Sequence, residues 1–425
     1  MKTNKSRMDL GISGFRFVVF FTLMLSACSV VFSPYTIAVD GFSYLKSSEV
    51  LFTPDFAAFY TWVREPGYPL FVRILEDIGG LFLVFMFQAL IVAFGILATT
   101  HAAYRLLRIE EVSWRTFVSS GLAMILLAGY SSTLLQQAIL IGLFGLLLLV
   151  ISRVVLQREV NLLTGLLTFA LFLFSTLTAV FIGLAFGLAL FATLVLSGVW
   201  KLKLLVSYSI LSIVAFSIVM VPWSQIKSAQ APANAFDAVE MAAFNTQATL
   251  ANFSPEKEFY EAFSTQAAIL NLGGEFPPVS GLGIANENRI FGSPIYSADH
   301  ACGRFLTGVD PDSLWGKIET SYRDRCVPQQ TLSLISLVNR WAQFFYPLVG
   351  LALLVTLVIS IRPKSRYGPL IFPAFLVTLP YVVMDASISR YGALIIPLGA
   401  LLLLELTSSK YLASGDSFSV SRKRT

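Results

Sequence analysis

The chain has 425 residues, of which 56% are hydrophobic and only 13% are charged. Soluble domains carry about 25% charged residues, so this composition excludes an ordinary soluble protein and indicates a polytopic membrane protein. The formal net charge of +5 does not indicate nucleic-acid binding, because the basic residues cluster at the ends of apolar segments on one predicted side.

Apolar segments in chain order predict about ten transmembrane helices. Longer runs must be hairpins, because a helix covering the uncharged run 161–200 would reach roughly 60 Å, about twice the hydrocarbon thickness of a bilayer. We expect the hairpin before it to turn near residues 131–137 and the last hairpin to turn near 385–390. Single crossings are predicted at about 14–34, 80–103, 204–222 and 342–361.

Basic residues near the predicted helix ends orient the chain by the positive-inside rule. Both termini are therefore expected in the cytoplasm, and most acidic residues fall on the opposite side. The basic residues that share one side of the count include Arg105, Arg108, Arg153, Arg158, Lys201, Lys203 and Lys364.

Three regions are predicted along the chain. Residues 1–222 form an N-terminal membrane domain, whose first outer loop at 35–79 contains interfacial helices. Residues 223–333 form a small extracytoplasmic loop domain, and residues 334–425 form the last helices and a cytoplasmic tail. The predicted fold class is all-α and polytopic.

Two of the three cysteines, Cys302 and Cys326, fall in the predicted loop domain. An oxidising compartment favours a disulfide between them, whereas two free thiols would argue against this orientation.

The third cysteine, Cys28, ends a stretch that begins at Leu25. This stretch follows a basic start and an apolar run and is similar to a bacterial lipoprotein processing site. We favour a packed cysteine in the first helix, because apolar residues continue to Pro34.

The sequence contains no Gly-rich phosphate loop and no His-Glu-x-x-His motif. Its two histidines, His101 and His300, are predicted on opposite sides of the membrane, which disfavours a histidine-based metal site. Carboxylate chemistry is therefore the remaining candidate for catalysis.

Asp40 follows the first helix at the outer interface, where a partly desolvated carboxylate can act as a general base. From these residues alone we favour the other interpretation, in which Asp40 caps an interfacial helix beginning at Gly41 or Phe42.

A second cluster, Arg64 to Pro69, lies further along the first outer loop. A basic side chain beside a helix N-terminus at headgroup level suits a lipid-linked phosphate. The alternative is that Arg64 pairs with Glu65 or with ordinary headgroups. Arg390 and Tyr391 open the last predicted helix on the same side, and two such clusters facing one side indicate a shared site.

Four short motifs carry a family resemblance: Asp40 with Tyr44, the stretch 64–69, the exit at 221–223 and Arg390-Tyr391. Through them the chain resembles the GT-C superfamily of integral-membrane glycosyltransferases, particularly the branch of protein O-mannosyltransferases and the lipid A aminoarabinose transferase. The resemblance implies inverting transfer of a sugar from a polyprenyl-phosphate donor to a lipid, glycan or protein acceptor. The reaction is expected on the outer face of a bacterial cytoplasmic membrane.

The resemblance also implies residue roles. Asp40 would take the proton of the acceptor nucleophile. Candidates for binding the donor phosphate are Arg64, Arg390 and Lys46. Candidates for positioning are Glu65, Tyr44, Tyr68 and Tyr391. Gly41 and the pair Gln136-Gln137 replace acids that relatives often carry, so no metal site is predicted, although the family would allow a divalent cation.

Two other functions stay open at this stage. An O-antigen-type polysaccharide polymerase or ligase would rely on loop residues such as Arg304, Arg323 or His300. A lipid or solute transporter would keep ionisable groups at mid-membrane and often show repeated halves. The predicted helices are almost free of charge away from their ends, with Glu405 a weak exception, and no repeat is evident.

Overall fold

The computed structural model describes residues 4–32, 44–45, 47–49, 51, 65–109, 112, 114–132, 134, 136–158, 161–198, 201–230, 345–361, 365–384 and 392–406. All regular secondary structure in these residues is helical, which confirms the all-α prediction. The predicted loop domain beyond residue 230 lies outside the described residues, and so do the boundaries at 333 and 334.

The described helices match the predicted apolar segments in order. The turn predicted near 131–137 is found, because one helix ends at Ser132 and the next begins at Gln137. Another helix ends at Met384, and the turn predicted near 385–390 lies outside the described residues. The helices are α1 (Asn4–Phe32), α2 (Gly67–Leu107), α3 (Trp114–Ser132), α4 (Gln137–Gln157), α5 (Leu162–Thr178), α6 (Val180–Leu196), α7 (Leu202–Gln230), α8 (Tyr346–Ser360), α9 (Gly368–Met384) and α10 (Ile396–Leu406), with a 3-10 turn (Gly392–Ile395) before α10.

The surface of the helix bundle is apolar. Leu188, Ile213 and Val358 expose 66%, 62% and 67% of their surfaces. Hydrocarbon solvates such side chains, and helices satisfy their own backbone hydrogen bonds there. Within the described residues, three helices are long and apolar enough to cross a bilayer, and shorter apolar helices accompany them. The chain is an integral membrane protein.

Helix α4 lies at the centre of the bundle and packs on α2 most closely. An ideal Cβ built on Gly95 would stand 2.6 Å from the carbonyl oxygen of Ile141, and one on Gly145 would stand 2.6 Å from that of Gly95. Such distances leave no room for a methyl group. The two helices are therefore in direct backbone contact, as small residues permit in membrane bundles.

Two helices differ from the predicted bounds. The crossing predicted to begin at residue 80 is preceded by a helical arm, Gly67 to Ile78, which joins it at a bend. Gly80 has φ 68° and ψ −174° at this bend, a conformation that only glycine adopts readily. Helix α7 continues through Pro222 to Gln230, beyond its predicted end at 222, because a single missing N–H is tolerated in membrane helices.

Basic residues gather at the end of the bundle where α2 and α4 terminate. Both helices end in a left-handed cap, at Arg108 (φ 58°) and Arg158 (φ 54°). The ammonium of Lys201 donates to the carbonyl oxygen of Arg158 at 3.1 Å. Positive charge at a helix C-terminus is favourable because unsatisfied carbonyls accumulate there. These three residues were predicted to share one side, and they do so.

Replacing Gly145 with alanine is expected to destabilise the protein by about 1–3 kcal/mol, because the new methyl group must displace the backbone of α2. The measurement is the midpoint of thermal unfolding of the purified protein in detergent. Gly165→Ala is the control, since an ideal Cβ there meets nothing within 4 Å. Equal midpoints for the two variants would contradict the backbone contact.

Candidate functional site

Three chain reversals meet at the opposite end of the bundle, which we call the Tyr68 end. An ideal Cβ on Gly67 would lie 2.6 Å from the carbonyl oxygen of Leu177, so the start of α2 rests on the last turn of α5. Leu134, in the turn between α3 and α4, packs in the same cluster as Tyr68. The start of α2, the α3–α4 turn and the α5–α6 turn are therefore neighbours.

A small apolar cluster fills the space between these reversals. It is separate from the main core and joins the arm of α2, the membrane-spanning part of α2 and the first outer loop. Tyr68 has none of its surface exposed and Tyr44 only 2%. The buried members are Tyr44, Leu45, Tyr68, Val72, Leu75, Val84, Phe85 and Leu134.

The two tyrosines of this cluster are in direct contact. The ring centroids of Tyr44 and Tyr68 are 4.6 Å apart with an interplanar angle of 77°, an edge-to-face arrangement. Phe71 also stacks on Tyr68, with ring centroids 5.9 Å apart. Edge-to-face pairs contribute about 0.5–1.5 kcal/mol beyond their buried area. The contact thus joins two residues that are 24 positions apart in the segment between α1 and the spanning part of α2.

The phenolic hydroxyl of Tyr68 donates to the side-chain oxygen of Gln88 at 2.6 Å. Gln88 is fully buried in α2, and the sequence reasoning did not single it out. A signal for it exists, because Gln88 is an uncharged polar residue in the middle of the apolar run Phe85 to Val92. Polar residues inside a membrane helix are costly and usually face a partner within the bundle.

Of the predicted site residues, the structure describes Tyr44, Glu65 and Tyr68. It brings Tyr44 and Tyr68 together. Glu65 is half-buried immediately before Pro66, which occupies the N-cap of α2. The roles of all three remain predictions. The other predicted site residues lie outside the described residues and are Asp40, Lys46, Arg64, Arg390, Tyr391, Cys302 and Cys326.

Neutral polar groups line the α3–α4 turn. Gln136 and Gln137 are both buried, and the side-chain oxygen of Gln137 has no hydrogen-bond partner among the described residues. The hydroxyl of Ser131 likewise has no hydrogen-bond partner among the residues that the structure describes. Amide and hydroxyl groups of this kind hydrogen-bond to neutral hydroxyls. Nowhere in the described ranges do three or more His, Cys, Asp or Glu residues come together as a metal site would require.

No protein-family model matches the chain. No curated protein matches its sequence either. Among solved structures, the chain is similar to the crystal structure of ArnT from Cupriavidus metallidurans bound to undecaprenyl phosphate. The two are 15% identical, the match covers 92% of this chain and 76% of that chain, and the TM-score is 0.36. No residue role is carried over from that protein.

Gly67→Ala is expected to destabilise the Tyr68 end by about 1–3 kcal/mol, because the new methyl group meets the backbone of α5 and not a movable side chain. The thermal midpoint in detergent measures this cost. The matched control is Gly187→Ala in α6, where an ideal Cβ has only an ordinary contact of 3.7 Å with Phe172. A Gly67→Ala variant as stable as the control would contradict the contact.

Proposed function

We propose that the chain is an inverting glycosyltransferase that moves a sugar from a polyprenyl-phosphate donor to an acceptor at the Tyr68 end of the bundle. The observation that carries the proposal is the contact of Tyr44 with Tyr68. Tyr44 is four residues after Asp40, and Tyr68 is four residues after Arg64. The contact therefore joins the two halves of the first outer loop in which the family resemblance is concentrated.

In the proposed reaction Asp40 accepts the proton of the acceptor nucleophile. The nucleophile forms a bond to the anomeric carbon while the bond from that carbon to the phosphate oxygen breaks, so the configuration inverts. The lipid phosphate leaves as an anion and needs its charge neutralised more than it needs a proton. Arg64 and Arg390 are the proposed cations, with Lys46 third, and Glu65 and Tyr391 are proposed to help position the donor.

The surroundings of these cations support the proposal. Arg64 directly precedes the half-buried Glu65, near the start of α2. Arg390 lies two residues before the 3-10 turn, whose Ala393 and Leu394 are fully buried and which packs on α4. Both arginines thus lie within three residues, along the chain, of a described element of the bundle. A short tether limits the conformational entropy lost when a side chain binds a ligand.

We propose that the Tyr68 end faces outward and that the basic end with Arg108, Arg158 and Lys201 faces the cytoplasm. The charge distribution supports this orientation through the positive-inside rule. The loop domain at 223–333 would then cover the site and contribute to acceptor selection. Sugar-transfer assays with different donors and acceptors would identify the donor sugar and the acceptor class.

Asp40→Asn is expected to lower sugar transfer about 10²–10⁴-fold, the usual contribution of a general base. Transfer is measured from a set of radiolabelled polyprenyl-phosphate sugars in membranes with matched protein levels. Asp77→Asn is the control, because Asp77 pairs at 2.8 Å with Arg73 on an exposed face of the α2 arm. Exposed pairs contribute little. Equal transfer by Asp40→Asn and wild type would remove Asp40 from the mechanism.

Cys302 and Cys326 are expected to form a disulfide, because the proposed orientation puts both in an oxidising compartment. The test is mass spectrometry of peptides from protein alkylated before and after reduction. Both cysteines should take up the alkylating reagent only after reduction, whereas Cys28 of α1 is the internal control and should react alike in both samples. Alkylation of Cys302 and Cys326 without reduction would contradict the orientation.

A further inference from the structure

Gln88 is a polar residue enclosed by apolar ones. Its neighbours Phe85, Ala89 and Val92 are buried, and none of its own surface is exposed. A buried amide costs free energy unless its donors and acceptor are hydrogen-bonded. The side chain therefore has a strong preference for the one position in which its partners are within reach.

Those partners belong to two other segments of the chain. The side-chain oxygen of Gln88 accepts from the Tyr68 hydroxyl at 2.6 Å. Its nitrogen donates to the carbonyl oxygens of Tyr130 at 3.1 Å and Ser131 at 3.4 Å. Both carbonyls lie in the last turn of α3, where the helix itself provides no donor. One amide thus caps α3 and holds the end of the first outer loop.

The contacts of Tyr68 connect Gln88 to Tyr44, which lies earlier in the same loop. The ring of Tyr68 packs against Tyr44, and the neighbouring residues Leu45, Ser47 and Ser48 are buried. Gln88, Tyr68 and Tyr44 form a continuous chain of contacts from the inside of α2 to within four residues of Asp40. An amide suits this place because it accepts from a hydroxyl and donates to carbonyls at the same time.

We propose that Gln88 is a positioning residue, which holds Tyr68 and Tyr44 against the last turn of α3 and through Tyr44 limits where Asp40, four residues earlier in the chain, can lie relative to the donor. This inference rests on the proposed transferase function. In this role Gln88 acts through Tyr68 and Tyr44. A base displaced by as little as 1 Å loses much of its rate advantage, whereas binding of the donor through other groups is retained.

The kinetic test compares Gln88→Leu, Tyr68→Phe and the double variant in the sugar-transfer assay. Each single change is expected to lower kcat about 10- to 100-fold and to leave KM for the donor nearly unchanged. The double variant should be no slower than the worse single one, because both remove the same link. Thr99→Val is the matched control, since Thr99 is equally buried in α2 and its hydroxyl has no partner among the described residues.

A second readout needs no transfer activity. Ser47→Cys places a thiol at a buried position of the loop, and its reaction with a maleimide is followed by peptide mass spectrometry. Labelling should be several-fold faster when Gln88→Leu or Tyr68→Phe is added, and unchanged with Thr99→Val, because exposure of a buried site follows local opening. Tyr68→Phe keeps the aromatic ring and serves if Gln88→Leu does not reach wild-type levels in the membrane.

The outcomes separate the two claims. Normal kcat or unchanged labelling in both Gln88→Leu and Tyr68→Phe would overturn the role of Gln88 even if the wild type transfers sugar. A fall in kcat with the same fall in the Thr99→Val control would overturn it as well, since that reports general destabilisation. If the wild type transfers no sugar from any donor, the proposed function fails, and faster labelling would show only that Gln88 holds the loop.

Discussion

The close backbone contact between α2 and α4 is the constraint on which the rest of the bundle depends. Lipid tails are as apolar as leucine, so burying leucine against leucine gives little net attraction inside a bilayer. What remains is dispersion between well-packed surfaces, and it grows as the helices approach. Gly95 and Gly145 bring the two backbones together, and α4 then presents its remaining faces to α5, α6, α9 and the 3-10 turn. The packing of the other helices on α4 therefore depends on two glycines, Gly95 and Gly145, which have no side chain to keep α2 and α4 apart.

The same arrangement explains why a polar amide is found in α2. Gln88 lies on the buried face of a helix whose position is already fixed by its contact with α4. A rigid helix delivers the amide to the last turn of α3 with little loss of freedom. In a loosely packed helix the same residue would find competing partners, and its hydrogen bonds would specify nothing.

The helices were predictable because the bilayer fixes their length and the sequence shows where the apolar runs break. The turn near Gln136 and the end at Met384 were found in this way. The arm from Gly67 to Ile78 was recognised only as a helical stretch, because hydropathy does not report a bend. The bend depends on the φ angle of Gly80, and the sequence shows only a Gly-Gly pair.

For the site, the motifs singled out Tyr44 and Tyr68 as candidates. Their contact depends on the tertiary structure and could not be predicted from the motifs. Gln88 was not predicted, because it is uncharged and lies within an apolar run, away from the helix ends.

The bend at Gly79 and Gly80 divides α2 into two helical parts, the arm and the membrane-spanning part. Val72 and Leu75 on the arm share one cluster with Val84 and Phe85 beyond the bend, so side-chain packing holds the angle that the glycine torsions allow. A transmembrane helix changes its tilt when the bilayer becomes thicker or thinner. In a straight helix that tilt would swing Tyr68 through an arc. Here the arm packs on the spanning part of α2 and Tyr68 is hydrogen-bonded to Gln88, so both parts move together, and we expect the geometry around Tyr68 to be insulated from the thickness of the membrane.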